Sequence, residues 1–133
     1  MLSKDIIIRI NKGIVHEWNE QNPQKPEVFA VGEDRLDDVL RMVNKQSGAI
    51  EQACYLLAGI SWAQPFSGGN KRTAFVCADT WLRMNGYRLV VDGENDQEYL
   101  RSLLFEIQES RSDLDELTLA KIILYVTKRI RKA

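Results

Sequence analysis

Histidine is nearly absent from this chain: a single one, His16, occurs in 133 residues. A lone histidine brings no partner constellation, so His16 is expected to be a structural or surface residue of the first helix. Cysteine is scarce too. Cys54 and Cys77 fall inside apolar helical stretches without short metal-type spacing, which favours buried free thiols in a reducing compartment over a disulfide or zinc site. An excess of one charge is also missing, since 18 Lys and Arg stand against 19 Asp and Glu for a net charge of −1. There is then no global basic field for nucleic acid or a membrane surface, and any anion site must be local. The N-terminus has no basic segment followed by a long apolar run, and no apolar stretch approaches spanning length. A cytoplasmic protein is expected, with no membrane partner and no direct nucleic-acid partner. Repeats and low-complexity segments are absent. What remains, 44% hydrophobic and 28% charged, is the make-up of one globular domain over residues 1–133.

Apolar periodicity predicts an all-α chain of about six helices. Ile7, Ile10, Ile14 and Trp18 recur at helical spacing after a Ser3 cap, and Asn22-Pro23-Gln24-Lys25-Pro26 stops that helix. Val28 to Gly32 is a loop or short extended piece, and Leu36, Val39, Leu40 and Val43 mark a second helix ending near Asn44. A third starts after Ser47 or Gly48 on the stripe Ile50, Ala53, Cys54, Leu57 and Ile60, and Gln64, four residues on, is expected to continue it. The fourth, from about Asn70 to Asn85, is so rich in apolar and small residues that it is expected to be the central helix. Asn85-Gly86 is a left-handed stop, and the alternation of Tyr87, Leu89 and Val91 suits a short strand or hairpin arm. Asp92-Gly93-Glu94-Asn95 is a turn. Two further helices are expected, from about Asp96 to Gln108 on Tyr99, Leu103, Leu104 and Ile107, and from Asp113 to Arg131 on Leu117, Ala120, Ile123, Leu124 and Ile130. Cations at 128–132 suit the negative end of the last helix.

Within that frame one stretch breaks a local rule. In Gln64-Pro65-Phe66-Ser67-Gly68-Gly69-Asn70-Lys71-Arg72-Thr73, two cations stand in the first turn of a helix, where unpaired N–H groups and the macrodipole are already positive. An anion such as a phosphate would resolve the conflict. The alternative is that Lys71 and Arg72 pair with acids such as Asp92 or Glu94. The stretch lacks the glycine spacing of a P-loop, and no strand precedes it as a dinucleotide fingerprint requires.

With its flanks, the stretch resembles the Fic/Doc family, particularly the Doc branch of death-on-curing toxins. The family pattern is His-x-Phe-x-Asp-x-Asn-Lys-Arg-Thr, and Phe66, Asn70, Lys71, Arg72 and Thr73 stand in register. Trp81 to Tyr87 is similar to the family's hydrophobic helix end with its Asn-Gly-Tyr, and Leu36 to Leu40 to the segment before its target-docking flap. The resemblance implies a single-domain helical bundle in which Gly69, Asn70, Lys71 and Arg72 bind the phosphates of ATP and Phe66 anchors the loop. It implies transfer of a phosphoryl group, or less favourably AMP, from ATP with Mg²⁺ to a protein hydroxyl, with a translation elongation factor as target and an antitoxin as partner. The lysine at 71 favours phosphorylation. Two positions depart from the pattern: the proton-accepting histidine is Gln64, the catalytic position, and the magnesium-binding acid is Gly68. A general base is worth about 10²–10⁴ in rate, so weak or lost catalysis is expected, and a nucleotide- or antitoxin-binding pseudoenzyme is the alternative. A docking excursion between Leu40 and Gln64 has little room once helix three is built. Ser47 to Gln52 approaches the family's inhibitory pattern but ends in Gln, and Glu51 is read as a first-turn acid favoured by the dipole.

Overall fold

In a computed structural model that describes residues 1–110 and 113–133, six helices and two short strands follow one another. They are α1 (Lys4–Gln21), α2 (Glu33–Asn44), α3 (Ala49–Ala63), α4 (Asn70–Met84), β1 (Tyr87–Leu89), α5 (Gly93–Gln108), α6 (Glu116–Arg129) and β2 (Ile130–Lys132). The all-α architecture expected from periodicity is the one observed. No helix among the described residues is long and apolar enough to cross a membrane.

Helix α1 begins where Ser3 Oγ accepts from the Ile6 N–H at 3.2 Å, and it buries Ile7, Asn11 and Val15 at a spacing of four. Trp18 lies off that stripe, 40% exposed. The central helix is α3 and not α4. Ala53, Cys54 and the whole run from Leu56 to Ser61 are buried, the pattern of a helix covered on all sides. Helix α4 buries one stripe, Thr73, Ala74, Cys77, Ala78 and Leu82. Its small residues reflect close approach to α3, which sequence alone does not separate from burial on every face. Cys54 and Cys77 are buried free thiols, as expected, and burial pushes both up to about 12.

The second half of the chain departs from the expected boundaries. Asp92 is the N-cap of α5, so the predicted turn at 92–95 becomes that helix's first turn. At α6, Asp115 Oδ2 accepts from the Thr118 N–H at 2.9 Å and its hydroxyl at 2.8 Å. Helix α6 stops at Arg129, and Ile130–Lys132 pairs antiparallel with β1 in the register Tyr87↔Lys132, Arg88↔Arg131, Leu89↔Ile130. The expected strand is present, but its partner is this distant segment and not a hairpin return. The basic end is therefore mostly strand. Arg129 leaves it to pair with Asp96 of α5, its Nε 2.8 Å from Oδ2, and lies over the Tyr125 ring at 3.7 Å. Tyr99, Leu117 and Leu124, expected inside, are 47%, 65% and 55% exposed, because α5 turns Leu100, Leu103, Leu104 and Ile107 inward and α6 turns Ile122, Tyr125 and Val126 inward. Gly86 follows the α4 C-cap at φ +84°, the left-handed stop the sequence called for.

Candidate functional site

The motif forms the turn between α3 and α4. Gln64 does not continue the α3 stripe: it caps the helix in the left-handed region at φ 47°, ψ 59°. It is the only non-glycine with positive φ among the described residues. Pro65 prevents further helix at this point. Phe66 is buried at 4% exposure and lies 6.4 Å from the Phe29 ring, the anchoring role the resemblance implied.

Two asparagines hold the turn. The Asn70 side chain accepts from the Phe66 N–H at 3.0 Å and donates to the Phe66 carbonyl at 2.9 Å, so both ends of its amide close the loop upon itself. Asn11, fully buried on α1, donates from Nδ2 to the Gly68 carbonyl at 2.8 Å and to Thr73 Oγ1 at 3.0 Å. Sequence reasoning missed Asn11. Its signal was a polar residue midway between Ile7 and Val15 on a buried stripe.

Gly69 is the N-cap of α4 at φ 70°, and no side chain caps the helix. A Cβ there would sit 3.0 Å from Ile14 Cγ2, so both the backbone and the space require glycine. The first backbone bond of the helix runs from the Thr73 N–H to the Gly69 carbonyl at 2.8 Å. The N–H groups of Asn70, Lys71 and Arg72 precede it and have no helical acceptor. The first turn of α4 has no acid, whereas every other helix carries at least one there.

The two cations diverge from that point. Lys71 runs toward α5, where its ammonium contacts Gln108 Oε1 and lies 4.3 Å above the Phe105 ring; burial lowers its pKa from the usual lysine value. Arg72 stays exposed, 3.8 Å from Glu17 of α1. Neither pairs with Asp92 or Glu94 among the described residues. Between α4 and α5 lies a cleft of about 520 Å³, lined by Lys71, Arg72, Arg101, Phe75, Leu100 and Phe105 among others.

On the other side of the loop, residues 27–32 run extended. The Gly32 N–H donates to the Pro65 carbonyl at 2.6 Å and the Ser67 N–H to the Ala30 carbonyl at 3.0 Å, around an antiparallel bridge between Val31 and Phe66. Ser67 Oγ adds a bond to the Val28 carbonyl and accepts from the Ala30 N–H. No backbone partner exists among the described residues for the N–H or C=O of Phe29 and Val31. The extended excursion therefore precedes α2, and only the short turn 45–48 separates α2 from α3. Both features agree with the sequence, which left little room between Leu40 and Gln64 and read Val28 to Gly32 as a loop or short extended piece; what it did not show is the bridge that ties Val31 to Phe66. Gly68 faces Glu27 from this segment: a Cβ on Gly68 would lie 2.2 Å from Glu27 Oε2. His16 is exposed on α1, with Nε2 2.9 Å from Glu20, and among the described residues it makes none of the loop's contacts.

An all-α domain in which a glycine turn opens an uncapped, acid-free helix beside two cations is the class of protein defined by this fold and site. A family model described as the Fic/DOC family matches residues 2–82, and the chain belongs to that family. No curated protein and no solved structure matches it. Family membership supports a Fic-type protein-modifying function in general terms.

Proposed function

We propose that this Fic/DOC domain, in the manner of the Doc branch, binds ATP and passes its terminal phosphoryl group slowly to a hydroxyl of a protein target. The carrying observation is the acid-free N-terminus of α4, which opens beside Lys71, Arg72 and a cleft of about 520 Å³. Free N–H groups at 70–72 and two cations suit the phosphates, and the Phe75, Leu100 and Phe105 side chains suit an apolar base. The Asn70 amide is occupied by Phe66, so that residue contributes its backbone N–H to the ligand and its side chain to the loop. The free edge of Phe29 and Val31 can take a target segment by strand addition. In the reaction the bond between the γ-phosphorus and its bridging oxygen breaks, a bond to the hydroxyl oxygen forms, ADP leaves, and the hydroxyl proton passes to solvent. Gln64 cannot accept that proton; its carbonyl can orient the hydroxyl and its NH₂ can donate to a phosphate oxygen. The lysine at 71 favours phosphoryl over AMP transfer on the strength of the family resemblance, which also offers a translation elongation factor as target and an antitoxin as partner.

A second reading has its own observation. With Gln64 at the base position and His16 outside the loop, the domain binds nucleotide, or a partner through it, without turnover. Calorimetric titration with ATP, with and without Mg²⁺, tests the common part: the unaltered chain binds, and Lys71→Ala with Arg72→Ala weakens binding about tenfold or more. No heat from the unaltered chain would sink both readings. Incubation with γ-labelled ATP and cell extract then separates them, since a labelled band that requires Gln64 supports transfer and its absence supports binding alone.

A further inference from the structure

The structure assigns to Glu27 the acidic group that the motif lacks at Gly68, as a ligand for a divalent cation arriving with the nucleotide. This inference rests on the nucleotide reading above.

A Cβ on Gly68 would stand 2.2 Å from Glu27 Oε2, 2.8 Å from Cδ and 3.2 Å from Oε1. The Glu27 carboxylate thus lies in the space that a side chain at 68 would enter, the place where the family pattern carries its acid. The backbone of Glu27 is tied to the neighbouring helix. Its N–H donates to Asn19 Oδ1 at 2.7 Å and its carbonyl accepts from Asn19 Nδ2 at 2.9 Å. Asn19 belongs to α1, the helix whose Asn11 grips the Gly68 carbonyl at 2.8 Å. One rigid element thus sets both sides of the approach.

The Glu27 carboxylate has no ion pair or hydrogen bond among the described residues. Left alone beside a phosphate site it would repel the ligand, and a bridging divalent cation converts that repulsion into attraction. Magnesium is commonly held by one or two carboxylates plus substrate phosphates while it keeps several waters. A single carboxylate fits that mode. It does not fit a permanent metal centre, and the described residues contain no group of three or more His, Cys, Asp or Glu able to hold an ion. The cation supplies charge neutralisation on the phosphoryl oxygens; Glu27 positions it.

Four proteins test this: the unaltered chain, Glu27→Ala, Gly68→Asp, and the two together, with Glu27→Gln as an isosteric control. The first measurement is nucleotide-free urea unfolding. Gly68→Asp should lower the midpoint, and adding Glu27→Ala should recover most of the loss; additive losses would show that the two side chains do not share one place. The second is calorimetry with ATP, repeated with Mg²⁺ and with Mn²⁺, whose paramagnetic signal reports the bound ion directly. Mg²⁺ should tighten ATP about tenfold in the unaltered chain, Glu27→Ala and Glu27→Gln should abolish that gain, and the double variant should regain it. ATP binding that is equally Mg²⁺-dependent after Glu27→Gln overturns the inference and leaves the nucleotide reading standing. Tighter metal-free binding in Glu27→Ala with no lost Mg²⁺ effect overturns it too, making Glu27 an obstacle. An unaltered chain that binds no ATP under any condition overturns both.

Discussion

Gln64 is the residue at which stability and function separate most cleanly. A side chain in the left-handed region costs roughly 1–2 kcal/mol relative to ordinary backbone, and a helix C-cap of this shape is where glycine is usually found. Gln64→Gly is therefore expected to raise stability by about 1 kcal/mol, read as a higher urea midpoint at unchanged slope. Gln64→Ala keeps the positive φ and should give no gain. If both variants destabilise equally, the amide makes contacts that outweigh its strain. A gain in stability combined with loss of the labelled band would mean that the strained amide is retained for function. The two cysteines belong to the other extreme: buried, with thiols pushed up to about 12, they are packing residues with negligible thiolate at neutral pH.

Among the elements, α5 and α6 are tied by Asp96 and Arg129. Hydrogen bonding from Arg129, and then from the Asp92 backbone N–H, holds the Asp96 carboxyl below its usual 3.8. Because the folded value is depressed, this contribution is fully present above the unfolded pKa and is lost as pH falls through the folded one. The thermal midpoint should drop as pH falls below about 4, and Asp96→Asn should flatten that drop while lowering the midpoint at neutral pH. Asp115 acts in the same direction through its bonds from Thr118, so some acid sensitivity survives in the variant. An unaltered acid limb in Asp96→Asn would remove the pair from the account. Element boundaries were legible where a residue acts locally: Ser3 before α1, Gly48 before α3, Asn85-Gly86 after α4. The end of α6 was not, because Ile130 to Lys132 continue an apolar and basic helical pattern. Only pairing with Tyr87 to Leu89, two helices away, turns them into a strand.

At the scale of the whole molecule, the family match ends at residue 82 while the core does not. Leu100, Leu103, Leu104, Ile107, Ile122, Tyr125 and Val126 belong to the same buried cluster as α3. A fragment ending at Met84 should lose its cooperative unfolding transition and bind a hydrophobic dye, because the faces of α3 that α5 and α6 cover would be open to water. A fragment that melts as sharply as the full chain would show that the first four helices form a sufficient core. The candidate site divides in the same way. The run Gly69 to Thr73 was legible as a cluster of charge and glycine at a helix start. Asn11, Ser67's bonds to 28–30, Glu27 and the α4–α5 cleft come from juxtapositions that no local pattern encodes. What shapes this loop is neutral, the amides of Asn11 and Asn70 and the hydroxyl of Ser67, whereas the cleft beside it carries the charges of Lys71, Arg72 and Arg101. Dissolved salt acts on only one of these two sets, since exposed charges are screened over about 8–10 Å at moderate ionic strength and short amide bonds are not. On the nucleotide reading proposed above, salt would therefore weaken the pocket's grip on an anion while leaving its form, so that binding returns when the salt is diluted.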